Sequence, residues 1–208
     1  MNETAFVQPE WLDVSRETID RLNTFCALVK KWNPVINLVS KPDISNLWDR
    51  HILDSAQIFY QIPPEATTLC DLGSGGGFPG IVLAIIAAES RPQLSISLVE
   101  SDRRKSVFLS EATRLLGLNV TILTQRVDDL PPQNADVISA RALASLTVIC
   151  GFALRHMNSS GMALFPKGRA ADQEITDAGL SYHFKLTKIQ SVMDTEACIL
   201  CLKDIHHV

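Results

Sequence analysis

The apolar positions in the first third of the chain recur with a helical period. Five of them lie three or four residues apart and so share one helical face. They are Ile19, Leu22, Phe25, Val29 and Trp32. Pro34 is predicted to end this helix. A second face combines Trp48, Ile52, Ser55, Ala56 and Phe59 and closes before Pro63 and Pro64. We therefore predict that residues 1–64 form a helical extension.

From Thr67 onward, short β-rich runs alternate with helical stretches. The runs are "TTLCDL", "LSISLVE", "NVTIL", "ADVISA" and "GMALFPK", with helices expected over 79–88, 102–116 and 146–156. This alternation is typical of a parallel sheet with helices on both faces. The last two runs, "YHFKLTKIQSV" and "TEACILCLKDI", are joined by "MD", which leaves no room for a crossover helix. They are predicted to pair as an antiparallel hairpin that closes a domain of residues 65–208.

Composition narrows the class of protein only moderately. The chain has 208 residues, of which 46% are hydrophobic, and a formal net charge of −4. That charge argues against a protein that coats nucleic acid without specificity, although it permits a local basic site. The N-terminal residues lack the basic and apolar regions of a secretory signal, and the run Ile81–Ala88 is too short to span a bilayer. We expect a cytoplasmic protein.

The five cysteines are expected to be reduced thiols rather than metal ligands. Four of them lie inside apolar runs. Cys198 and Cys201 have C-x-x-C spacing, but residues three apart in a strand face opposite sides of the sheet. We therefore predict no metal site.

The stretch "LCDLGSGGGFPGI" carries five glycines in eight positions directly after the first predicted strand. In open α/β sheets this is the edge where ligands bind, and glycines let the backbone approach a ligand closely. The helix that follows near Pro79 offers free N–H groups at its start. A nucleotide-like cofactor is therefore expected here. A P-loop is excluded, because no Gly-Lys-Ser or Gly-Lys-Thr follows the glycines.

Two cofactors fit the glycine loop. "GGGFPG" matches the dinucleotide fingerprint, and Glu100 at the end of the second strand can grip ribose hydroxyls. However, Asp71 ends the first strand, and a carboxylate there suits a cofactor with a positive amino-acid end while it repels a pyrophosphate. Asp71, Gly73 and Glu100 together favour S-adenosylmethionine, with an NAD-dependent oxidoreductase as the alternative. Gly75 and Gly77 are the other loop glycines assigned to cofactor binding.

Several blocks of the sequence resemble one family closely. They are "KWNPVINLVS", "RHILDSAQI", "DLGSGGGFPGIVLAI", "LVESDRRKSVFL", "ISARALASL" and "FPKG". This order resembles the ribosomal RNA small-subunit methyltransferase G family, also called glucose-inhibited division protein B. The resemblance runs from about Lys30 to the end of the chain. It implies a class I S-adenosylmethionine-dependent methyltransferase fold, Rossmann-like, with a seven-stranded mostly parallel sheet and a C-terminal antiparallel hairpin.

The resemblance also implies a reaction and site residues. The reaction is methyl transfer to N7 of one guanine in the 530 loop of 16S rRNA. We expect the substrate to be the free RNA or the 30S subunit and the protein to be a monomer. Gly73 and Phe78 would line the cofactor, and Glu100 would take its ribose hydroxyls. Two further positions, Val127 and Asp128, would lie by the adenine, and Arg141 would close the pocket.

The chemistry of guanine N7 agrees with what the sequence lacks. N7 carries a lone pair and loses no proton on methylation, so alignment with the methyl carbon matters more than a general base. The sequence has no Asn-Pro-Pro-Tyr motif for exocyclic amines and no Pro-Cys pair for attack on a pyrimidine. Arg141 and Lys167 follow the fourth and fifth strands, where a cation can bind phosphate or guanine O6, and they are the predicted catalytic residues. A binding module without catalysis remains a further alternative.

Some polar residues receive structural interpretations beside functional ones. His51 and Asp54 stand three apart on a predicted helix, and a hydrogen-bonded structural pair is favoured over catalysis. Asn37 either ends a helix or contacts the ligand. An RNA footprint is suggested by the basic residues Lys30, Lys31, Arg103, Arg104, Lys105, Arg169, Lys185 and Lys188.

Overall fold

The computed structural model describes residues 8–208, so the expectation for the first seven residues of the extension lies outside the described part of the chain. The helices are α1 (Arg16–Ile36), α2 (Lys41–Ile44), α3 (Asp54–Phe59), α4 (Gly80–Ser90), α5 (Arg103–Leu116), α6 (Leu146–His156) and α7 (Ala171–Ala178). The strands are β1 (Thr68–Leu72), β2 (Ser95–Val99), β3 (Val120–Leu123), β4 (Ala135–Ala140), β5 (Met157–Lys167), β6 (Tyr182–Gln190) and β7 (Cys198–His207). A π-helical turn, Trp48–Leu53, precedes α3, and a 3-10 turn, Val127–Asp129, precedes β4.

The strands form a single seven-stranded sheet in the order β3-β2-β1-β4-β5-β7-β6. The first five strands in sequence pair in parallel, whereas β7 runs antiparallel to both β5 and β6. The prediction of a parallel sheet that ends in an antiparallel hairpin is therefore confirmed. The strand order reverses between β1 and β4, which places a crevice at the carboxyl ends of these strands.

Helices cover both faces of the sheet. One apolar cluster combines α1, α3, α4 and α5 with one face, and the other combines α6 and α7 with the opposite face. Helix α4 is buried from Gly80 to Ala87 because α1 and α3 pack over the side that would otherwise face water. This explains why the run Ile81–Ala88 is apolar all around. No helix within residues 8–208 is long and apolar enough to cross a membrane.

One local expectation about the helices is wrong, and one helix was not predicted. Helix α1 does not end at Pro34 but continues to Ile36, which is buried. Its last turn is held because the buried Asn33 accepts a hydrogen bond from the Val39 amide at 2.8 Å, and Asn37 ends the helix in the left-handed conformation. Of the two roles proposed for Asn37, the structure therefore shows the one that ends the helix. The sequence interpretation also missed α7, whose apolar side has only small or isolated residues.

Candidate functional site

The glycine loop connects β1 to α4 at the crevice. Gly73 has a φ of +68°, and a Cβ there would lie 2.5 Å from Cδ1 of Leu143. At Gly76, a Cβ would lie 2.9 Å from the carbonyl oxygen of Leu38. The chain's own loops therefore press on the glycines from two sides. These glycines are required by internal packing as well as by any ligand.

Glu100 is held by the same loop. One of its carboxylate oxygens accepts a hydrogen bond from the Gly75 amide at 2.8 Å, and the other accepts from the Asp102 amide at 2.7 Å. The side chain is only 7% exposed. Each oxygen of a carboxylate has a second lone pair, so Glu100 can still accept hydrogen bonds from a ligand.

Asp71 lies one layer below the loop and is fully buried. One of its oxygens accepts a hydrogen bond from Ser139 Oγ at 2.7 Å, since β1 and β4 place these residues opposite each other. The other oxygen faces the start of α4, where a Cβ on Gly80 would come within 2.7 Å of it. Burial raises the pKa of Asp71 to about 6, and the hydrogen bond from Ser139 opposes that rise.

A cavity of about 490 Å³, which we call the loop cavity, opens above the glycines. It brings together most of the predicted cofactor residues. These are Gly73, Gly75, Phe78, Glu100, Val127, Asp128 and Arg141. Two predicted residues, Asp71 and Gly77, do not line it. Asp71 is hidden under the loop, and a Cβ on Gly77 would point at Phe25 and Ile81 in the core.

A second cavity of about 780 Å³, which we call the side cavity, adjoins the loop cavity. It lies between the π-helical turn, the end of β5 and the turn that joins β6 to β7, and Lys167 and Asp54 line it. Five residues line both cavities and form the seam between them. They are Asp43, His51, Arg141, Ala142 and Leu143.

Arg141 reaches across the seam. Its Nη2 donates a hydrogen bond to the carbonyl oxygen of Arg50 at 2.8 Å, and its Nη1 lies 3.6 Å from Oδ2 of Asp54. Nη1 is buried and makes no hydrogen bond to the residues described. Burial lowers the pKa of Arg141, and the carboxylate of Asp54 opposes this change. The guanidinium is thus positioned by the N-terminal extension, and its buried Nη1 is left without a hydrogen bond to the described residues.

The structure gives Lys167 two partners within the protein. Its Nζ donates to the Glu174 carboxylate at 2.7 Å and to the Ala144 carbonyl oxygen at 3.1 Å. The same Glu174 oxygen accepts a hydrogen bond from the amide of Leu146 at the start of α6. These contacts tie the wall of the side cavity together.

The expected hydrogen-bonded pair of His51 and Asp54 is wrong. The π-helical turn alters the spacing between the two side chains, and each has other partners. His51 stacks on Phe78 with ring centroids 4.8 Å apart, and its Nε2 lies 3.8 Å from Asp43. Burial lowers the pKa of His51 to about 4, and the positive charge of Arg141 adds to that effect. The imidazole is therefore neutral at physiological pH.

Several lining residues were not found from the sequence. Leu38, Val39 and Ser40 line the loop cavity from the segment after α1, and Gln125 and Arg126 line it from the segment after β3. Only the block "VINLVS" signalled the first group. The second group directly follows the end of β3, and this position at the ligand-binding edge of the sheet could have indicated it.

Half of the eight basic residues proposed as an RNA footprint form ion pairs, and Arg104 with Asp102 is one of these pairs. Lys185 and Lys188 form ion pairs with Asp204 and Asp172, and Arg169 pairs with Glu196. Of the group at the start of α5, Lys105 lines the loop cavity. Lys185, Lys188 and Arg169 therefore contribute less positive potential than their number indicates.

Comparison with solved structures supports the fold. A crystal structure of an S-adenosylmethionine-dependent methyltransferase from Aquifex aeolicus superposes with a TM-score of 0.59 at 14% identity, covering 79% of this chain and 98% of that one. At this level of identity the match establishes the architecture, which is the Rossmann-like class I methyltransferase fold with an antiparallel C-terminal hairpin.

Comparison of sequences establishes the family. The family model described as rRNA small subunit methyltransferase G matches residues 18–199. A relative of that name from Cereibacter sphaeroides (strain ATCC 17025 / ATH 2.4.3) is 51% identical over the whole length of both chains. Another, from Ruegeria sp. (strain TM1040), is 49% identical over 95% of this chain and 96% of its own. The chain therefore belongs to the rRNA small subunit methyltransferase G family.

Proposed function

We propose that the protein transfers a methyl group from S-adenosylmethionine to N7 of a guanine in the 530 loop of 16S rRNA. The observation that carries this proposal is the seam between two cavities. A ligand in the loop cavity and a nucleotide in the side cavity would meet beside Arg141 and His51, which line both. Family membership supplies the class of reaction.

The loop cavity suits the proposed cofactor. Its volume of about 490 Å³ lies within the usual range for small-molecule sites. Glu100 presents unused lone pairs for ribose hydroxyls, while Val127 and Asp128 line the end expected to take the adenine. Gly73 and Gly75 provide backbone without side chains. When bound, S-adenosylmethionine supplies a methyl group activated by the positive charge of its sulfonium.

Asp71, Gly77 and Lys167 have supporting roles in this proposal. Asp71 and Gly77 act from beneath the cavity, where they maintain the loop's conformation. Lys167, predicted to be catalytic, is assigned a positioning role, because its ammonium group is committed to Glu174 and Ala144.

The residues at the seam match the charge requirements of the reaction. N7 uses its lone pair to form the new C–N bond while the C–S bond breaks, and the purine gains the positive charge that the sulfur loses. No proton is removed, so no base is needed. His51 is neutral and does not repel either the sulfonium or the methylated purine. Arg141, whose Nη1 has no hydrogen bond within the described residues, would hold the acceptor base in line.

The proposed substrate is 16S rRNA, free or within the 30S subunit, and the proposed site of action is the cytoplasm. The protein would act as a monomer. Residues 1–64 would form its N-terminal extension, of which the described part, residues 8–64, completes both cavities over the domain of residues 65–208. Family membership decides against an NAD-dependent oxidoreductase. A methyl-transfer assay decides whether the protein is instead a binding module without catalysis.

Two experiments test the proposal. Mass spectrometry of 16S rRNA from cells that lack the protein should show the loss of one 7-methylguanine, which returns on complementation. In vitro, the purified protein should transfer tritiated methyl groups to undermethylated small subunits. S-adenosylhomocysteine, but not NADH, should raise the melting temperature. Intact cofactor binding without methyl transfer would leave only the binding module.

A further inference from the structure

The side cavity contains an ion pair whose two partners are too far apart to bond to each other. Nη1 of Arg141 lies 3.6 Å from Oδ2 of Asp54, beyond hydrogen-bond distance. Each side chain is anchored through its other polar atom. Arg141 Nη2 donates to the Arg50 carbonyl at 2.8 Å, and Ser191 Oγ donates to Asp54 Oδ1 at 3.3 Å. The two facing atoms thus present one donor beside one acceptor.

With the 6-substituent of the base opposite Arg141 and N1 opposite Asp54, this arrangement has the complementary pattern of one purine. Guanine carries the acceptor O6 next to the donor N1–H, whereas adenine carries a donor amino group next to the acceptor N1. A donor beside an acceptor on the protein therefore matches guanine and opposes adenine at both positions. The side chains are 20% and 16% exposed, so a base placed against them would exclude most of the water.

The order of the groups along the seam fits the proposed reaction. On guanine, N7, O6 and N1 follow each other along one edge of the ring. If N7 points into the loop cavity, O6 lies at the seam and N1–H lies beyond it, in the side cavity. Arg141 lines both cavities, whereas Asp54 lines only the side cavity. The protein groups therefore occur in the same order as their partners on the base.

We infer that Arg141 and Asp54 together read the acceptor base, with Arg141 Nη1 donating to O6 and Asp54 Oδ2 accepting from N1–H. This inference rests on the proposed function and assigns the guanine specificity of the same site. Asp54 is then a specificity residue of the extension, and not only a partner that holds Arg141 in place. Asp49 lines the same cavity, and within the described residues it forms no ion pair with Arg141.

The test uses small subunits reconstituted with ligated 16S rRNA that carries guanine, inosine or unsubstituted purine at the acceptor position. Inosine keeps O6 and N1–H, and purine lacks both. For the wild type, we expect kcat/KM with inosine to stay within about threefold of guanine and purine to be about 100-fold worse. In Asp54→Asn and Asp54→Ala, the preference for inosine over purine should fall about 10-fold. Asp49→Asn, which removes a carboxylate from the same cavity, should keep the wild-type preference.

Each result has a defined meaning. S-adenosylhomocysteine affinity and thermal unfolding show whether each variant is folded. If neither Asp54 variant folds, the wild-type preference alone decides, and equal rates with inosine and purine overturn the inference. Folded Asp54 variants that keep the full preference also overturn it, as does an equal loss in Asp49→Asn. A wild type that methylates none of the subunits, guanine included, would instead contradict the proposed function.

Discussion

Asp71 allows the clearest quantitative prediction, because its environment opposes ionisation. The carboxyl group is fully buried beneath the glycine loop, and its pKa is raised from 3.8 to about 6. Between these pH values the folded protein binds a proton that the unfolded chain has lost. The contribution of Asp71 to stability is therefore fully present below pH 3.8 and is lost as the pH rises through 6. Each pH unit is worth about 1.4 kcal/mol, so the total is about 3 kcal/mol.

The substitution Asp71→Asn removes the titration and keeps the shape. Asparagine can still pair with the hydroxyl of Ser139, which can accept as well as donate. We expect the free energy of unfolding of the variant, relative to wild type, to rise by about 2.4 kcal/mol between pH 4 and pH 7, which is most of the total. Urea unfolding of both proteins without ligand at pH 4, 5, 6, 7 and 8 measures this difference. Because His51 is present in both proteins, its own titration cancels in the comparison.

Asp20→Asn is a matched control for the change in net charge, because Asp20 is an exposed residue of α1. Its difference from wild type should not vary appreciably with pH. A pH-independent difference for Asp71→Asn would refute the reasoning, since it would mean that the carboxyl group ionises in the folded protein as readily as in water. A marked loss of stability of Asp71→Asn at pH 7 would show instead that the folded protein requires the negative charge of Asp71.

Three further predictions concern the loop cavity. Gly73→Ala should destabilise the protein by about 1–2 kcal/mol, because alanine is strained in the left-handed backbone conformation of this residue. Its Cβ would also press on Leu143, so calorimetry should show weaker binding of S-adenosylhomocysteine. Glu100→Gln should weaken that binding about 10-fold or more without unfolding the protein, because an amide has one acceptor oxygen instead of two. The lowered pKa of His51 stabilises the folded protein above pH 6.5, and this stabilisation is lost as the pH falls toward 4. In urea unfolding, the free energy of unfolding of wild type should therefore fall by about 3 kcal/mol relative to His51→Gln over that range. Unchanged ligand affinity in the first two variants, or parallel pH profiles in the third, would contradict them.

The alternation of strands and helices from Thr67 onward could be predicted because it depends on local patterns. Burial imposes a period of two on strands and about 3.6 on helices. The connection "MD" between the last two strands is too short for a crossover helix. The same reasoning failed at Pro34, where the buried Asn33 and Ile36 hold the last turn of α1, and at the π-helical turn before α3. Helix α7 was missed because it has only eight residues, with Ala171, Ile175 and Ala178 on its apolar side.

The sequence by itself determined the class of fold, the glycine loop and the carboxylate that ends β2, since each depends on residues close together in the chain. Only the tertiary structure decided how the extension completes the site. It carried Leu38 to the glycine loop. It brought His51 and Asp54 beside Arg141, after the end of β4. It also directed Asp71 into the core instead of the cavity. The physical reason is that these contacts join residues far apart in sequence, and their geometry depends on how α1 and α3 pack over α4. No local pattern of residues records that packing.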